Sequence, residues 1–454
     1  MTAPLQTASL PYIGDGAAAL RALAGEPWSA WLDSGRGGEG AGRYDILVAR
    51  PAVTLTAAGG VTTIRRPGGG TVRRRGDPLC HLAEALAERG GVTGGEAVPF
   101  VGGAVGYFGY DLGRRLLGVA GRPPAVPEMA VGLYDTAVVV DHHRRCSTAV
   151  GPRLDQEWLA ALERRLAGEA APGAFRVTGA VTEEPAAAGY AAAFERVQAY
   201  LRSGDCYQVN LARRFSAPYA GDPQGAYLAL RAASPAPFSA WLRLPGLDVL
   251  SLSPERFLRL DGAGRVTTEP IKGSRPRGAD PAQDERHRRA LLASAKDRAE
   301  NVMIVDLLRN DLGKGCATGT VAVPSLCRAE RFATVHHLTS TVTGRLRPGR
   351  GATDLLRDCL PGGSITGAPK RRAVEIIEAL EPGPRGVYCG AIGYLGLDGR
   401  MDTSVAIRTA VCAEGRMTYW AGGGVVADST CEAERQETLD KAVAFLGLAQ
   451  GAGG

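Results

Sequence analysis

The sequence lacks the features that mark zinc-finger, disulfide-stabilised and membrane-spanning proteins. Its nine cysteines are scattered and odd in number, without a Cys-x-x-Cys pair or histidines at zinc-ligand spacing. No window approaches the ~20 consecutive apolar residues that a membrane helix needs. Residues 1–20 also lack the basic start and apolar stretch of a secretory signal. We therefore expect reduced thiols, no membrane partner and a cytoplasmic location.

An excess of one charge is also nearly absent. Lys and Arg number 53 against 47 Asp and Glu in 454 residues, and the arginine runs at 65–66 and 73–75 have no interleaved aromatic residues. Nucleic-acid surfaces combine a basic stripe with stacking side chains, so we expect no nucleic-acid partner. The hydrophobic content of 45% instead supports a large buried core.

Predicted strands and helices occur in runs, without strict βαβ alternation, which favours an α+β fold with antiparallel sheets. A Pro/Ala/Glu-rich stretch at 182–188 is typical of a linker. We predict an N-terminal region over 1–182 and a catalytic region over 183–450, which together form one intertwined globular unit. Strands are predicted at 44–49, 54–57, 131–140, 207–212, 248–252, 390–395, 404–411 and 417–421, and helices at 190–203, 281–312, 355–360, 370–380 and 433–448.

Two carboxylate pairs occur at helical spacing. Asp297 and Glu300 lie three apart on one predicted helix, and Glu434 and Glu437 three apart on another. Such pairs are usually solvated surface. If the two helix faces meet in a cleft, however, their oxygens would suit Mg²⁺ bound to an anionic substrate.

Two glycine-rich segments are candidate anion cradles. Residues 362–370 resemble a phosphate loop but have Ala-Pro where the Lys-Ser/Thr pair should stand. The segment can still present free N–H groups at a helix start, or it can be an ordinary helix entry. Residues 421–424 follow a predicted strand, where glycines allow a close approach to a carboxylate. The alternative there is a plain turn.

Lys272 is the sharpest single candidate. It lies between Pro270 and Gly273, with Arg275 and Arg277 nearby. A buried amine among cations has its pKa lowered from ~10.4, which frees the nucleophilic form. An exposed loop lysine is the alternative. The sequence has no Gly-x-Ser-x-Gly or Gly-x-Cys-x-Gly motif, which argues against a serine hydrolase and against a fused glutamine amidotransferase.

Read in order, these segments resemble the chorismate-utilising enzymes, a family that includes anthranilate synthase component I, aminodeoxychorismate synthases, isochorismate synthase and salicylate synthase. The resemblance runs over nearly the whole chain. It implies a large α/β sandwich of two packed, mainly antiparallel β-sheets with flanking helices. The motifs that carry it are residues 100–111, 204–211, 253–257, 270–278, 297–307, 361–370 and 402–409.

The resemblance also implies roles for individual residues. Lys272, Glu255 and His337 match catalytic positions of the family. Glu300 and Glu437 match its Mg²⁺ ligands, with Asp297 and Glu434 as their neighbours. The substrate-binding set that the resemblance implies is Gln208, Ser364, Thr366, Tyr388, Arg408, Gly422, Gly423, Gly424 and Lys441.

Two positions distinguish between members of the family. Gln208 stands where isochorismate and salicylate synthases have a water-activating lysine, and a neutral amide cannot be that base. Lys272 stands where anthranilate synthases have alanine and aminodeoxychorismate synthases have lysine. The resemblance therefore implies amination of chorismate at C4, through a lysine adduct, to 4-amino-4-deoxychorismate on the p-aminobenzoate and folate branch. It implies Mg²⁺ as cofactor and ammonia supplied by a separate glutamine amidotransferase subunit.

Two alternatives remain open from the sequence. The nearer is anthranilate synthase component I, which aminates at C2 and releases pyruvate. The other is a non-catalytic protein that binds chorismate.

Overall fold

The computed structural model describes residues 2–35, 42–168, 173–332 and 335–451. No helix within these ranges is long and apolar enough to cross a membrane. The helices are α1 (Gly16–Ala22), α2 (Pro78–Arg89), α3 (Tyr110–Leu116), α4 (Gln156–Leu166), α5 (Ala187–Arg202), α6 (Pro223–Ala233), α7 (Pro281–Ala293), α8 (Ala295–Gly315), α9 (Ala352–Cys359), α10 (Lys370–Leu380) and α11 (Cys431–Ala449).

The strands build two large sheets and one small one. They are β1 (Thr2–Pro4), β2 (Gln6–Leu10), β3 (Ser29–Asp33), β4 (Tyr44–Val48), β5 (Val53–Ala58), β6 (Val61–Arg65), β7 (Thr71–Arg75), β8 (Gly91–Thr93), β9 (Gly103–Phe108), β10 (Met129–Tyr134), β11 (Ala137–Asp141), β12 (Cys146–Gly151), β13 (Phe175–Val177), β14 (Thr182–Glu184), β15 (Gln208–Gly221), β16 (Phe238–Leu244), β17 (Leu247–Ser253), β18 (Arg256–Leu260), β19 (Arg265–Thr268), β20 (Ile271–Pro276), β21 (Ala322–Arg331), β22 (Val335–Arg345), β23 (Gly367–Ala368), β24 (Ala391–Gly396), β25 (Met401–Val405), β26 (Thr409–Ala413) and β27 (Arg416–Val425).

Both large sheets are antiparallel in the pairs that their strands form, and each combines strands from both ends of the chain. The 12-stranded sheet runs β20-β22-β19-β18-β25-β24-β9-β10-β5-β6-β7, with β21 on β22. The 13-stranded sheet runs β13-β15-β27-β26-β17-β16-β3-β4-β11-β12-β2, with β14 and β23 on β15. The small sheet pairs β1 with β8 in parallel. The predicted α+β class, with two large antiparallel sheets, is confirmed.

The core has three layers, and strand periodicity decides which layer each side chain joins. On β4, Ile46 and Val48 lie in a cluster with residues of the opposite sheet such as Val105, whereas Leu47 packs in a second cluster with Trp158 of α4. Alternate residues of a strand point to opposite faces. Both faces of the sheets are therefore buried, one against the other sheet and one under helices.

Short links carry the chain directly from one sheet to the other, and three of them matter below. We call them the Arg50 crossing (residues 49–52, β4 to β5), the Glu255 crossing (residues 254–255, β17 to β18) and the Arg408 crossing (residues 406–408, β25 to β26). Single strands predicted at 404–411 and at 131–140 are wrong, because the chain changes sheet within each. A crossing leaves the β-type composition unchanged, so the sequence pattern does not reveal it.

Two other predicted segments need correction. Within the predicted linker, β14 forms a strand whose residues pair with Arg214–Ser216 of β15, and α5 begins at Ala187. The predicted helix over 281–312 is two helices that meet at Ser294, whose side chain accepts the amide N–H of Asp297 and caps α8. The helix predicted at 370–380 is confirmed as α10.

Candidate active site

The predicted site residues lie on segments that pack together near one end of the two sheets. Helix α8 packs on β20 and β22 of the 12-stranded sheet, while α11 packs on β27 of the 13-stranded sheet. Residues 361–369, called the 361–369 loop below, lie near both. Strand β23 of this loop pairs with β15, and β15 in turn pairs with β27. Residues far apart in sequence are thus brought to one cleft.

Lys272 lies on β20 and points toward β27. A Cβ atom placed on Gly424 would lie 3.4 Å from the Lys272 amine. The positive charge of Lys272 also acts to lower the pKa values of Glu255, Glu300 and Glu437. The amine is therefore placed where a strand from each sheet and both carboxylate helices meet.

The charged groups around this amine differ from the expectation. Arg275 donates to Asp297 at 2.9 Å, and Arg277 donates to Asp284 at 2.7 and 3.0 Å. Both guanidinium groups are thus neutralised by carboxylates. The cationic environment expected for Lys272 is corrected to an acidic one.

Glu255 is the buried carboxyl group beside Lys272. It is 6% exposed, and its Oε1 accepts a hydrogen bond of 2.8 Å from the Ser364 hydroxyl. Burial raises the pKa of Glu255 to about 7, although the Ser364 hydrogen bond and the Lys272 charge oppose the rise. A carboxyl group that titrates near neutrality suits proton transfer at physiological pH.

Gln208 is fully buried, and neither polar atom of its side-chain amide has a hydrogen-bond partner among the described residues. Its Nε2 lies against Gly424, where an added Cβ would come within 2.0 Å. Any side chain at that glycine would displace the amide. An unpaired buried amide is costly in a closed core, so its presence next to Lys272 fits a polar ligand.

Gly422, Gly423 and Gly424 belong to β27 itself rather than to a turn after it, so the turn alternative is wrong. On one side they pair with residues 210–212 of β15. On the other side, β26 pairs only with residues 416–419. Strand β26 begins only at Thr409, after the Arg408 crossing, so among the described residues no strand pairs with this side of the three glycines. Their edge is therefore open to the cleft.

Two carboxylates of α11 lie against this glycine strand. A Cβ on Gly423 would lie 2.7 Å from Glu434 Oε2 and 3.4 Å from Glu437 Oε1. The Glu434 Oε1 atom accepts from the Ser429 hydroxyl at 2.6 Å, and its Oε2 is buried without a partner in the described ranges. The carboxylates of α11 are therefore held directly beside the open glycine edge.

The pKa values of these carboxylates report the same proximity. Burial, together with repulsion from Glu437 and Asp297, raises the pKa of Glu300. Burial and the Glu437 charge likewise raise the pKa of Glu434. The pKa of Glu437 itself is lowered, because the charge and hydrogen bond of Lys441 outweigh its burial. Negative charge is thus concentrated between the helices, and lysine side chains compensate only part of it.

The donor set fits Mg²⁺ only in part. Within the described ranges, no three His, Cys, Asp or Glu side chains converge closely enough to hold a metal ion by themselves, and Asp297 is engaged by Arg275. Mg²⁺ usually takes one or two carboxylates and completes its shell with water and substrate oxygens. The unpaired Glu434 oxygen and the like-charged Glu300 and Glu437 suit that arrangement.

Arg408 supplies the positive side of the cleft. Its φ of 52° lies in the left-handed region, which is rare for a residue with a side chain and is often found at functional sites. Burial and the Arg408 charge lower the pKa of His337 to about 4. His337, whose Nδ1 lies 2.7 Å from the Ser274 hydroxyl, is therefore neutral at pH 7 and a poor proton donor.

The remaining predicted residues differ in what they can offer a ligand. Tyr388 is buried and stacks on Trp420, with ring centroids 6.1 Å apart. Lys441 donates to the Gly422 carbonyl at 2.8 Å and to Glu437 at 2.5 Å. The Thr366 hydroxyl donates to the Gly362 carbonyl at 2.9 Å and is thus used inside the loop.

Sequence reasoning missed Ser429, which holds Glu434. The only signal was its place directly before Thr430, the N-cap of α11. A hydroxyl next to a cap is too common to be singled out.

The chain is similar to known proteins over most of its length. A sequence model of chorismate binding enzymes matches residues 29–447. The chain is 48% identical over 439 residues to aminodeoxychorismate synthase component 1 of Klebsiella aerogenes, covering 95% of this chain and 96% of that protein. It is 42% identical over 399 residues to anthranilate synthase component 1 of Streptomyces coelicolor, covering 82% and 77%.

A solved structure supports the same assignment. Anthranilate synthase component I from Streptococcus pneumoniae superposes with a TM-score of 0.76 at 32% identity, covering 88% of this chain and 91% of that one. With the family match spanning most of the sequence, the chain belongs to the chorismate binding enzyme family.

Proposed function

We propose that this chain aminates chorismate at C4 with ammonia, giving 4-amino-4-deoxychorismate for the p-aminobenzoate branch of folate biosynthesis. The observation that carries the proposal is the placement of Lys272 near both the Gln208 amide, which has no partner among the described residues, and the carboxyl group of Glu255. The high identity to a protein named aminodeoxychorismate synthase component 1 supports the choice of reaction.

Chorismate carries two carboxylates, and the cleft can replace the water around both. Arg408 and Tyr388 would hold the enolpyruvyl carboxylate. The open edge of Gly422–Gly424, together with Lys441, would receive the ring carboxylate. Charged hydrogen bonds of this kind are the strong ones, and they offset the cost of removing the anion from water.

Glu300 and Glu437, with Glu434 beside them, would hold Mg²⁺. When bound, the ion would supply positive charge to the ring carboxylate and to the three glutamates. Without such charge the glutamates would repel the substrate. Asp297, held by Arg275 at 2.9 Å, would act on this group only indirectly.

In the first chemical step, the unprotonated amine of Lys272 forms a bond to C2 of chorismate. The two double bonds of the ring diene each shift by one position, the C4–O bond breaks, and the hydroxyl group leaves as water with the proton that the amine gives up by way of Glu255. Glu255 is placed to take the proton that the amine loses, because its pKa of about 7 lets it exchange protons at neutral pH.

In the second step, ammonia forms a bond to C4, the two double bonds shift back and the bond between Lys272 and C2 breaks. Glu255 takes the proton that the attached ammonia loses and gives it to the departing amine. A covalent intermediate divides one difficult displacement into two easier ones. Gln208 has no basic group with which to activate water, which favours ammonia as the nucleophile.

The ammonia would come from a separate glutamine amidotransferase subunit, and an exposed groove beside the cleft is a suitable dock for it. Tyr207 is 70% exposed and Val302 is 42% exposed. Both line this groove together with Met303 of α8. Tyr207 directly precedes Gln208, so a subunit seated here would release ammonia next to the cleft.

A charge placed in the groove tests this dock. V302E should lower glutamine-dependent amination in the presence of the amidotransferase subunit, while amination with ammonium chloride stays at the wild-type rate. If V302E matches the wild type with glutamine as well as with ammonium chloride, the amidotransferase subunit does not bind in this groove.

Product analysis tests the reaction itself. Chorismate, ammonium and Mg²⁺ are incubated with the wild type, K272A and K272R, and products are followed by mass. Both variants should lose at least on the order of 10³-fold in rate, as for removal of a covalent nucleophile. K272R keeps the charge, so it separates loss of the nucleophile from loss of the cation.

Two outcomes would contradict the proposal. Undiminished 4-amino-4-deoxychorismate formation by K272A would remove the role of Lys272. A fluorescent anthranilate product from the wild type, with release of pyruvate, would instead assign amination at C2.

A further inference from the structure

Lys370 is a buried cation in a place that a helix does not favour. It is the first residue of α10 and is 7% exposed. The start of a helix carries partial positive charge, so a cation there is disfavoured. Its position must therefore be explained by partners outside α10.

Those partners lie on two other helices. The Lys370 amine donates to Asp311 Oδ2 at 2.5 Å and to the Cys359 carbonyl at 3.0 Å. Asp311 is 1% exposed on α8, the helix that carries Glu300. Cys359 is the last residue of α9, where the partial negative charge of a helix end favours a cation. One amine thus joins α8, α9 and α10.

The same amine anchors one end of the 361–369 loop, which ends directly before Lys370. Within the loop, Gly363 packs so tightly on Leu307 of α8 that an added Cβ would come within 2.6 Å of the leucine side chain. The next residue, Ser364, donates to Glu255. The position of the Ser364 hydroxyl is therefore set by the distance between the loop and α8.

We infer that Lys370 is a positioning residue: by tying the end of the 361–369 loop to Asp311 of α8, it keeps the Ser364 hydroxyl on the carboxyl group of Glu255. It would act on the reaction only through that hydrogen bond. This inference rests on the proposed function, in which Glu255 exchanges protons with Lys272.

A role in folding alone predicts a different result, and the pH profile separates the two. The Ser364 hydrogen bond favours the ionised form of Glu255. If the loop moves away, the carboxyl group holds its proton to higher pH. Since the ionised form must accept the proton of the Lys272 amine, the acidic limb of kcat/KM would move upward. A purely structural loss would lower kcat/KM equally at all pH values.

The experiment measures kcat/KM of the full chain with chorismate, ammonium and Mg²⁺ between pH 5 and 9. The wild type should show an acidic limb near pH 7. K370M should move it upward by about one pH unit, the size expected for losing one hydrogen bond to a charged group. S364A should move it in the same direction. The double variant K370M/S364A should show no shift beyond that of S364A.

Lys314 offers a matched control. Its amine also donates to Asp311, at 2.9 Å, and to the Asp358 carbonyl of α9 at 3.1 Å. Lys314 lies in the last turn of α8, however, and does not adjoin the 361–369 loop in the chain. K314M should therefore leave the acidic limb at its wild-type pH. A limb that K314M moves as far as K370M does would overturn the inference, since any loss at Asp311 would then suffice.

Four further results bear on the inference. An unshifted limb in K370M, or a full additional shift in the double variant, would overturn it. If K370M does not fold, D311N takes its place, and an unshifted limb in D311N would overturn it equally. A wild type that makes no 4-amino-4-deoxychorismate would instead reject the proposed function before Lys370 is tested.

Discussion

Arg50 and Arg408 occupy similar places between the two sheets but have different surroundings. Each lies on a short link that carries the chain from one sheet to the other, and each has a φ of 52°. Arg50 donates to both oxygens of the buried Glu26, at 2.8 and 3.1 Å. Arg408 forms no ion pair with a carboxylate among the described residues, and its charge instead acts on His337.

The comparison separates a structural crossing from a functional one. At the Arg50 crossing the arginine is neutralised within the fold, so its charge is used for stability. At the Arg408 crossing the charge remains for a ligand. The Glu255 crossing lies directly beside it, since the Val405 amide donates to the Glu255 carbonyl at 3.0 Å. The Arg408 and Glu255 crossings thus place in one cleft a cation that has no carboxylate partner among the described residues and a carboxyl group whose pKa is raised.

The largest difference in kcat/KM should appear when Glu255 and Glu26 are each replaced by glutamine. E255Q should lower kcat/KM by about 10²–10⁴-fold, the usual loss when a general acid or base is removed. E26Q should leave kcat/KM unchanged, because among the described residues the Glu26 carboxylate pairs with Arg50 and Arg165 alone. Steady-state kinetics at pH 7.5 measure both. Similar losses in the two variants would contradict the distinction between structural and functional crossings.

The same two carboxyl groups should have opposite effects on stability as the pH changes. The pKa of Glu255 is raised from 4.5 to about 7, so its contribution is present at low pH and is lost as the pH rises through 7. Relative to the wild type, the free energy of unfolding of E255Q should rise by up to about 3 kcal/mol between pH 4 and pH 8.

Glu26 should show the reverse trend. Its two arginine partners lower its pKa despite burial, so its contribution is present above pH 4.5 and is lost as the pH falls. E26Q should therefore be most destabilising at neutral pH. Denaturant unfolding at a series of pH values measures both trends, and a common sign for the two variants would contradict the comparison.

Replacing each arginine by lysine should separate binding from stability. R408K should raise KM for chorismate by about 10- to 100-fold, because lysine cannot form the paired hydrogen bonds that a guanidinium group makes to a carboxylate. Unchanged KM in R408K, measured by initial rates over chorismate concentration, would show that Arg408 does not hold the substrate.

Some features of the site can be predicted from the sequence, and others cannot, for physical reasons. Lys272 and the carboxylate pairs can be found because their motifs and helical spacing are local. The crossings cannot, because a strand that changes sheet keeps the same alternation. The pairing of Arg275 with Asp297 and the unpaired state of Gln208 depend on contacts between segments distant in the chain, which no local pattern encodes. For the same reason the acidic surroundings of Lys272 were not predicted.

The smallest effect is expected from R50K. Lysine keeps the charge next to Glu26 but loses the two-point contact of the guanidinium group, so the free energy of unfolding should fall by about 1 kcal/mol. The kinetic constants for chorismate should not change. In an E26Q background R50K should have little further effect on stability, because the carboxylate that it loses contact with is already absent. A rise in KM comparable to that of R408K would mean that the Arg50 crossing also reaches the substrate, and the distinction between structural and functional crossings would fail.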